Sequence, residues 1–145
     1  PFTFEAEKLR LTTLADFTTG SEPFPQSGLV VRKEYLRNNR DLVKRMLMAY
    51  VEAIHVLKTD GEKSTAIMKK YMRITDDTIA RRSFEYYSKL FSQPPLTDEK
   101  GIGVVLKFLA TQPGTAHAKN AKAADFFDNS VLAELQREGF MARFK

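Results

Sequence analysis

The sequence predicts an α/β, helix-rich chain in which two short strands near the start are followed by about five helices. Residues 11–17 (LTTLADF) and 28–32 (GLVVR) are rich in Thr and apolar side chains, and a loop with Gly20, Pro23 and Pro25 separates them. From Asn38 onward the apolar residues return at helical spacing instead. Two strands do not make a stable sheet alone, so the rest of the sheet is expected from residues outside this chain. A first residue that is Pro rather than Met fits a numbering that begins inside a longer polypeptide.

Each element follows from local chemistry. Phe2, Ala6 and Leu9 sit at helical spacings and predict a helix over 2–9, ahead of the first strand. After the second strand, Asn38 or Asn39 is a candidate N-cap for a long helix to about Thr59, with Asp41 complementing the dipole in its first turn. Leu42, Met46, Ala49, Ala53 and Val56 form one apolar line on it, and Val43, Leu47, Tyr50, Ile54 and Leu57 the next, so both lines are expected to be buried. Asp60 and Gly61 interrupt the pattern. A helix over 62–72 is expected to turn Ala66, Ile67, Met68 and Tyr71 inward. Thr75, followed by Asp76 and Asp77, opens a helix to about Phe91 that buries Ile79, Phe84, Tyr87 and Leu90, and Pro94 and Pro95 end it. Thr97, followed by Asp98 and Glu99, opens another, whose first turns Gly101 and Gly103 weaken. Asp128 or Ser130 starts the last helix, and Gly139 has the place of a C′ glycine.

Composition narrows the function classes. Residues of 23 Lys and Arg against 18 Asp and Glu give a net charge of +5, but the basic pairs (32–33, 44–45, 69–70, 81–82) are scattered among acids and apolar positions, as on solvated helix faces. No apolar run reaches membrane-spanning length. With no Cys there is no disulfide, thiolate metal site or Cys nucleophile. Neither GxGxxG nor GxxxxGK[ST] occurs. His55 and His117 lack metal-ligand spacing, and Ser27, Ser64, Ser83 and Ser130 lie in neither GxSxG nor SxxK. The carboxylate pairs at 76–77 and 98–99 are explained by helix capping, and Phe84, Tyr86, Tyr87 and Phe91 by core packing. The expectation is a protein that is not an enzyme, uses no cofactor or metal and binds no nucleic acid.

Three segments, in order, resemble the substrate-binding proteins of ABC transporters of the nitrate, sulfonate and taurine type, a group similar to the thiamine-pyrimidine synthases. They are PFTFEAEKLRLTTLADF, GLVVRKEYLRNNRDLVKRMLMAYVEAIHVLKTD and AADFFDNSVLAELQREGF. Arg40 stands where the family often has Pro, and the absence of Cys departs from the pyrimidine synthases. The resemblance implies a type II periplasmic-binding fold, with residues 1–27 as the end of the second lobe and its crossover loop and 28–145 as the C-terminal portion of the first. It further implies capture of a small polar or anionic solute (sulfonate, nitrate, or pyrimidine or aromatic type) for a membrane permease, in the periplasm or as a secreted or membrane-anchored protein.

Position in that scheme selects Pro1, Phe2, Phe24, Gln26 and Ser27 as ligand-binding candidates, Gln and Ser for hydrogen bonds and Phe as a stacking wall. The alternative reading is a ligand-sensing or helical protein-interaction domain of a regulator. Half a sheet leaves strand edges open, so a homodimer that completes the sheet is the alternative to reliance on further residues.

Overall fold

The structure is a computed structural model that describes residues 2–16, 24–25 and 27–144. Among these residues it is helical, with seven α-helices and no strand, which corrects the α/β expectation. Residues 11–16 and 27–32 run without regular structure, and Leu14 and Val30 are 97% and 94% exposed. A Thr- or Val-rich run becomes a strand only when a neighbour accepts its backbone hydrogen bonds and covers one face, and among the described residues, which do not include Phe17, neither run has that neighbour.

The helices are α1 (Phe2–Lys8), α2 (Lys33–Asn38), α3 (Arg40–Thr59), α4 (Gly61–Met72), α5 (Asp77–Leu90), α6 (Glu99–Ala110) and α7 (Ser130–Arg137). The short α2 was not expected. Its end explains why Asn39 does not cap α3 through its side chain: the Asn39 amide donates backward to the Tyr35 carbonyl, at 3.2 Å. At α5 and α6 the cap is one residue beyond the expected Thr75 and Thr97. Asp60, Asp76 and Asp98 accept from the backbone N–H of Lys63, Ile79 and Lys100, because a carboxylate reaches these orphan donors and complements the dipole. Asp128 serves α7 likewise, accepting from Ser130 N–H at 2.7 Å. Gly139, at φ +78°, follows the end of α7 in the left-handed region that glycine tolerates.

The chain divides into two compact units. One holds α1, the second half of α3, α4 and α5. Its core includes Ile74, Ile79 and Ala80, with Phe4 and Met68 packed against them. Ser64 is buried on α4 and donates to the Val56 carbonyl, whereas Ile67 and Tyr71, expected inward, are 43% and 73% exposed. Ala66 is exposed as well. On α5 the buried residues are Ile79, Ala80 and Ser83, while Leu90 lies outside. The helix pair α4 and α5 closes around Gly61, where a Cβ would come within 3.0 Å of the Phe84 ring.

The other unit holds α2, the first half of α3, α6 and α7. Gly101 and Leu106 of α6, Ala118 of a following 3-10 turn, and Val131, Leu132 and Leu135 of α7 are buried in it. Asn129 exchanges two hydrogen bonds with the Thr97 backbone, fixing the start of α7 to the entry of α6. The two apolar lines of α3 part company. Val43 and Ile54 of the second line are buried, together with Val51, whereas Leu42, Met46, Ala49 and Ala53 of the first are exposed.

Candidate functional site

Where α1 meets the turn between α4 and α5, a solvent-open cavity of about 380 Å³ is lined by two cations, two carboxylates and an apolar floor. The turn forms because Arg73 ends α4 in the left-handed region, at φ 56° and ψ 35°, a conformation that reverses the chain within one residue. Ile74 then drops into the core at 5% exposure, and Thr75 leads into the Asp76 cap. The last turns of α1 contribute Glu5, Lys8 and Leu9, and Ile74 and Ile79 form the floor.

Lys8 donates to Asp76. That bond first, and the Ile79 N–H second, hold the Asp76 carboxyl below the usual range for an aspartate. Glu5 and Arg73 line the same cavity, and neither joins an ion pair among the described residues. A small polar molecule with an acceptor for Arg73 and a donor for Glu5 or Thr75 meets complementary groups there. On the far side of α1, Glu7 pairs with Arg82 at 2.7 Å, Arg82 lies 4.4 Å from the centre of the Phe4 ring, and Phe4 meets Tyr86 edge-on. These contacts hold α1 on α5, and so hold the cavity wall.

A second cavity, of about 610 Å³, runs between α4 and α5. Gly61, Ala66 and Phe84 give it an apolar base, and the paired Lys69 and Asp77 close one end.

The sequence-selected candidates stand elsewhere. Pro1 and Gln26 lie outside the described residues. Phe2 opens α1, 81% exposed, one turn ahead of Glu5; Phe24 is 59% exposed, and Ser27 is exposed. None of these three lines either cavity. His55 packs against the Phe144 ring at 5.1 Å, His117 is exposed on its 3-10 turn, and no group of His, Asp and Glu among the described residues is placed to hold a metal. Sequence reasoning passed over Arg73, for which the signal was a helix that stops at MRITDD without a glycine.

Two of the three segments that carry the resemblance are joined physically. Arg40 donates to Glu134 at 2.9 Å and to Ser130 at 3.4 Å, and Lys44 donates to Glu134 and Glu138, each at 2.6 Å. The four charged residues sit at i, i+4 spacing on both helices, so one face of α3 meets one face of α7. The Lys44 bonds, then those from Arg40, keep the Glu134 carboxyl below its usual range, and the two glutamates raise the Lys44 ammonium. Arg40, the departure from the family pattern, is thus a working member of the clamp.

No family model, curated protein or solved structure matches the chain.

Proposed function

We propose that the chain belongs to the solute-binding component of an ABC import system, taking up a small polar or anionic solute and presenting it to a membrane permease. The observation that carries this reading is the ordered recurrence of three family-like segments, the second and third of which are clamped together through Arg40, Lys44, Glu134 and Glu138. The cavity at Glu5, Lys8, Arg73 and Thr75 has the size and the charged groups for such a solute. Export to the periplasm, or a secreted or anchored location, belongs to the same proposal. No helix among the described residues is long and apolar enough to cross a membrane.

The test is a thermal-shift screen with sulfonates, nitrate, pyrimidines and aromatic acids, followed by calorimetry on each hit. A saturable solute that stabilises the protein, and whose affinity falls at least tenfold in Arg73→Ala, supports the reading and the cavity. A hit unaffected by Arg73→Ala keeps the function and moves the site, with Phe24→Ala the next variant. A screen in which nothing raises Tm counts against the proposal.

The alternative, a helical interaction domain, is favoured by large apolar side chains that the helices leave exposed, Tyr71 at 73% and Phe108 at 57% among them.

A further inference from the structure

The cavity between α4 and α5 plays no part in the proposed function, and it lies wholly within one compact unit. Two contacts set its register. Gly61 lies against the Phe84 ring at one end and Lys69 pairs with Asp77 at the other, so the two helices run antiparallel and Thr65 and Arg81 fall midway. On α5 the lining residues Asp77, Arg81, Phe84 and Glu85 recur at spacings of four, three and one, which is one face of the helix. The missing side chain at Gly61 is what admits the ring, because a Cβ there would stand 3.0 Å from two of its carbons.

Three charges in this cavity are left over. Lys69 satisfies Asp77, whereas Glu62, Arg81 and Glu85 are exposed and join no ion pair among the described residues. Arg81 and Glu85 stand four residues apart, where a pair could close, but the basic residue comes first, which is the weaker of the two orders. The result is a cation midway along the groove and two carboxylates at its Gly61 end, about 6 Å further along the axis. Phe84 and Ala66 supply an apolar base beside them. A simple anion would meet two carboxylates here, and a simple cation would meet a guanidinium.

We propose that this cavity binds a small zwitterion with an aromatic body, of the class of the aromatic amino acids. The ligand carboxylate takes Arg81, with the Thr65 hydroxyl as a second donor, the ammonium takes Glu62 and Glu85, and the ring lies against Phe84. Neighbouring ammonium and carboxylate groups span one helical turn with a hydrogen bond to each side. The groove is open to solvent and, at about 610 Å³, larger than such a ligand, so binding is weak, with a Kd on the order of 1 mM. The site is separate from the cavity at Arg73 and independent of solute delivery to a permease.

The test is an NMR titration of the intact chain with L-phenylalanine, in which the amide signals of Gly61, Thr65 and Glu85 are expected to shift saturably. 3-Phenylpropionate lacks the ammonium and L-phenylalaninamide lacks the carboxylate, and each should bind more weakly by about fivefold or more. Variants separate the two charges. Arg81→Ala should weaken phenylalanine by about fivefold or more without weakening phenylalaninamide. Glu62→Gln combined with Glu85→Gln should weaken phenylalanine and phenylalaninamide but not 3-phenylpropionate. All three side chains are exposed, so the fold should survive, and circular dichroism checks that it does. Arg73→Ala should leave the titration unchanged; a loss there would move phenylalanine to the other cavity and overturn this site. No saturable shift up to about 20 mM, or either analogue binding as tightly as phenylalanine, overturns the proposal.

Discussion

Two lines on one helix meet opposite fates. Val43, Val51 and Ile54 of α3 are at most 5% exposed, while Leu42 and Met46, a fraction of a turn away, keep 40% or more of their surface. Both lines are apolar and both have helical period, so the pattern alone predicts burial for each. What separates them is supply: the line of Val43 and Ile54 finds core to pack into, and the line of Leu42 and Met46 is left partly in solvent. Periodicity reports which side chains want cover. It does not report whether cover exists within the chain.

The sharpest way to break that comparison is truncation on the buried line. Ile54→Ala removes a side chain at 3% exposure, and its cost is expected to be about 2–5 kcal/mol, from lost transfer energy plus the cavity left behind. Urea unfolding would show it as a fall in midpoint with unchanged slope. A loss below about 0.5 kcal/mol, the size typical of surface positions, would mean that the line is not core. Smaller is the effect of the cap between α3 and α4. Asp60→Ala leaves Lys63 N–H without its 2.9 Å partner and should cost about 1 kcal/mol, with Asp60→Asn retaining most of the stability.

The clamp of α3 on α7 gives a weaker effect with a definite sign. Glu134 has an ordinary value of 4.5 and is held below it in the folded protein. Its contribution is therefore present above pH 4.5 and lost as pH falls through the lowered folded value. Lys44 is raised above its ordinary 10.5, so its contribution is present below that pH and lost as pH rises through the raised folded value. Between those limits the clamp contributes a plateau. Glu134→Gln should lower Tm by a few degrees at neutral pH, and the difference from the unmodified chain should diminish as pH falls below 4.5 and shrink in high salt. A difference that persists unchanged in acid would show that the carboxylate charge is not what binds the helices.

Much of the helix order was legible because capping is local. An Asp within four residues of the first apolar position announces its helix whatever surrounds it, and Asp60, Asp76 and Asp98 do so. The strands at 11–17 and 28–32 were misjudged because pairing is not local: Leu14 and Val30 have strand-like neighbours in sequence and no strand partner among the described residues. The inward face of α4 held only at Met68, which packs against the core, and failed at Ala66, Ile67 and Tyr71 for a related reason. Ser64, a polar residue, is buried because its hydroxyl reaches the Val56 carbonyl, while Ile67 and Tyr71 point away from the core. The cavity at Arg73 joins residues nearly seventy positions apart, and no spacing in the sequence connects Glu5 with Arg73.

The smallest expected effect is the one that completes the comparison. Leu42→Ala and Met46→Ala remove as many carbon atoms as many core truncations do, yet each should cost no more than about 1 kcal/mol, because 40% and 44% of their surface is already hydrated in the folded state. Alanine's higher helix propensity offsets part of even that loss. If either substitution costs about 2 kcal/mol or more, as truncations in packed cores do, the line is covered, and the difference between the two faces of α3 disappears.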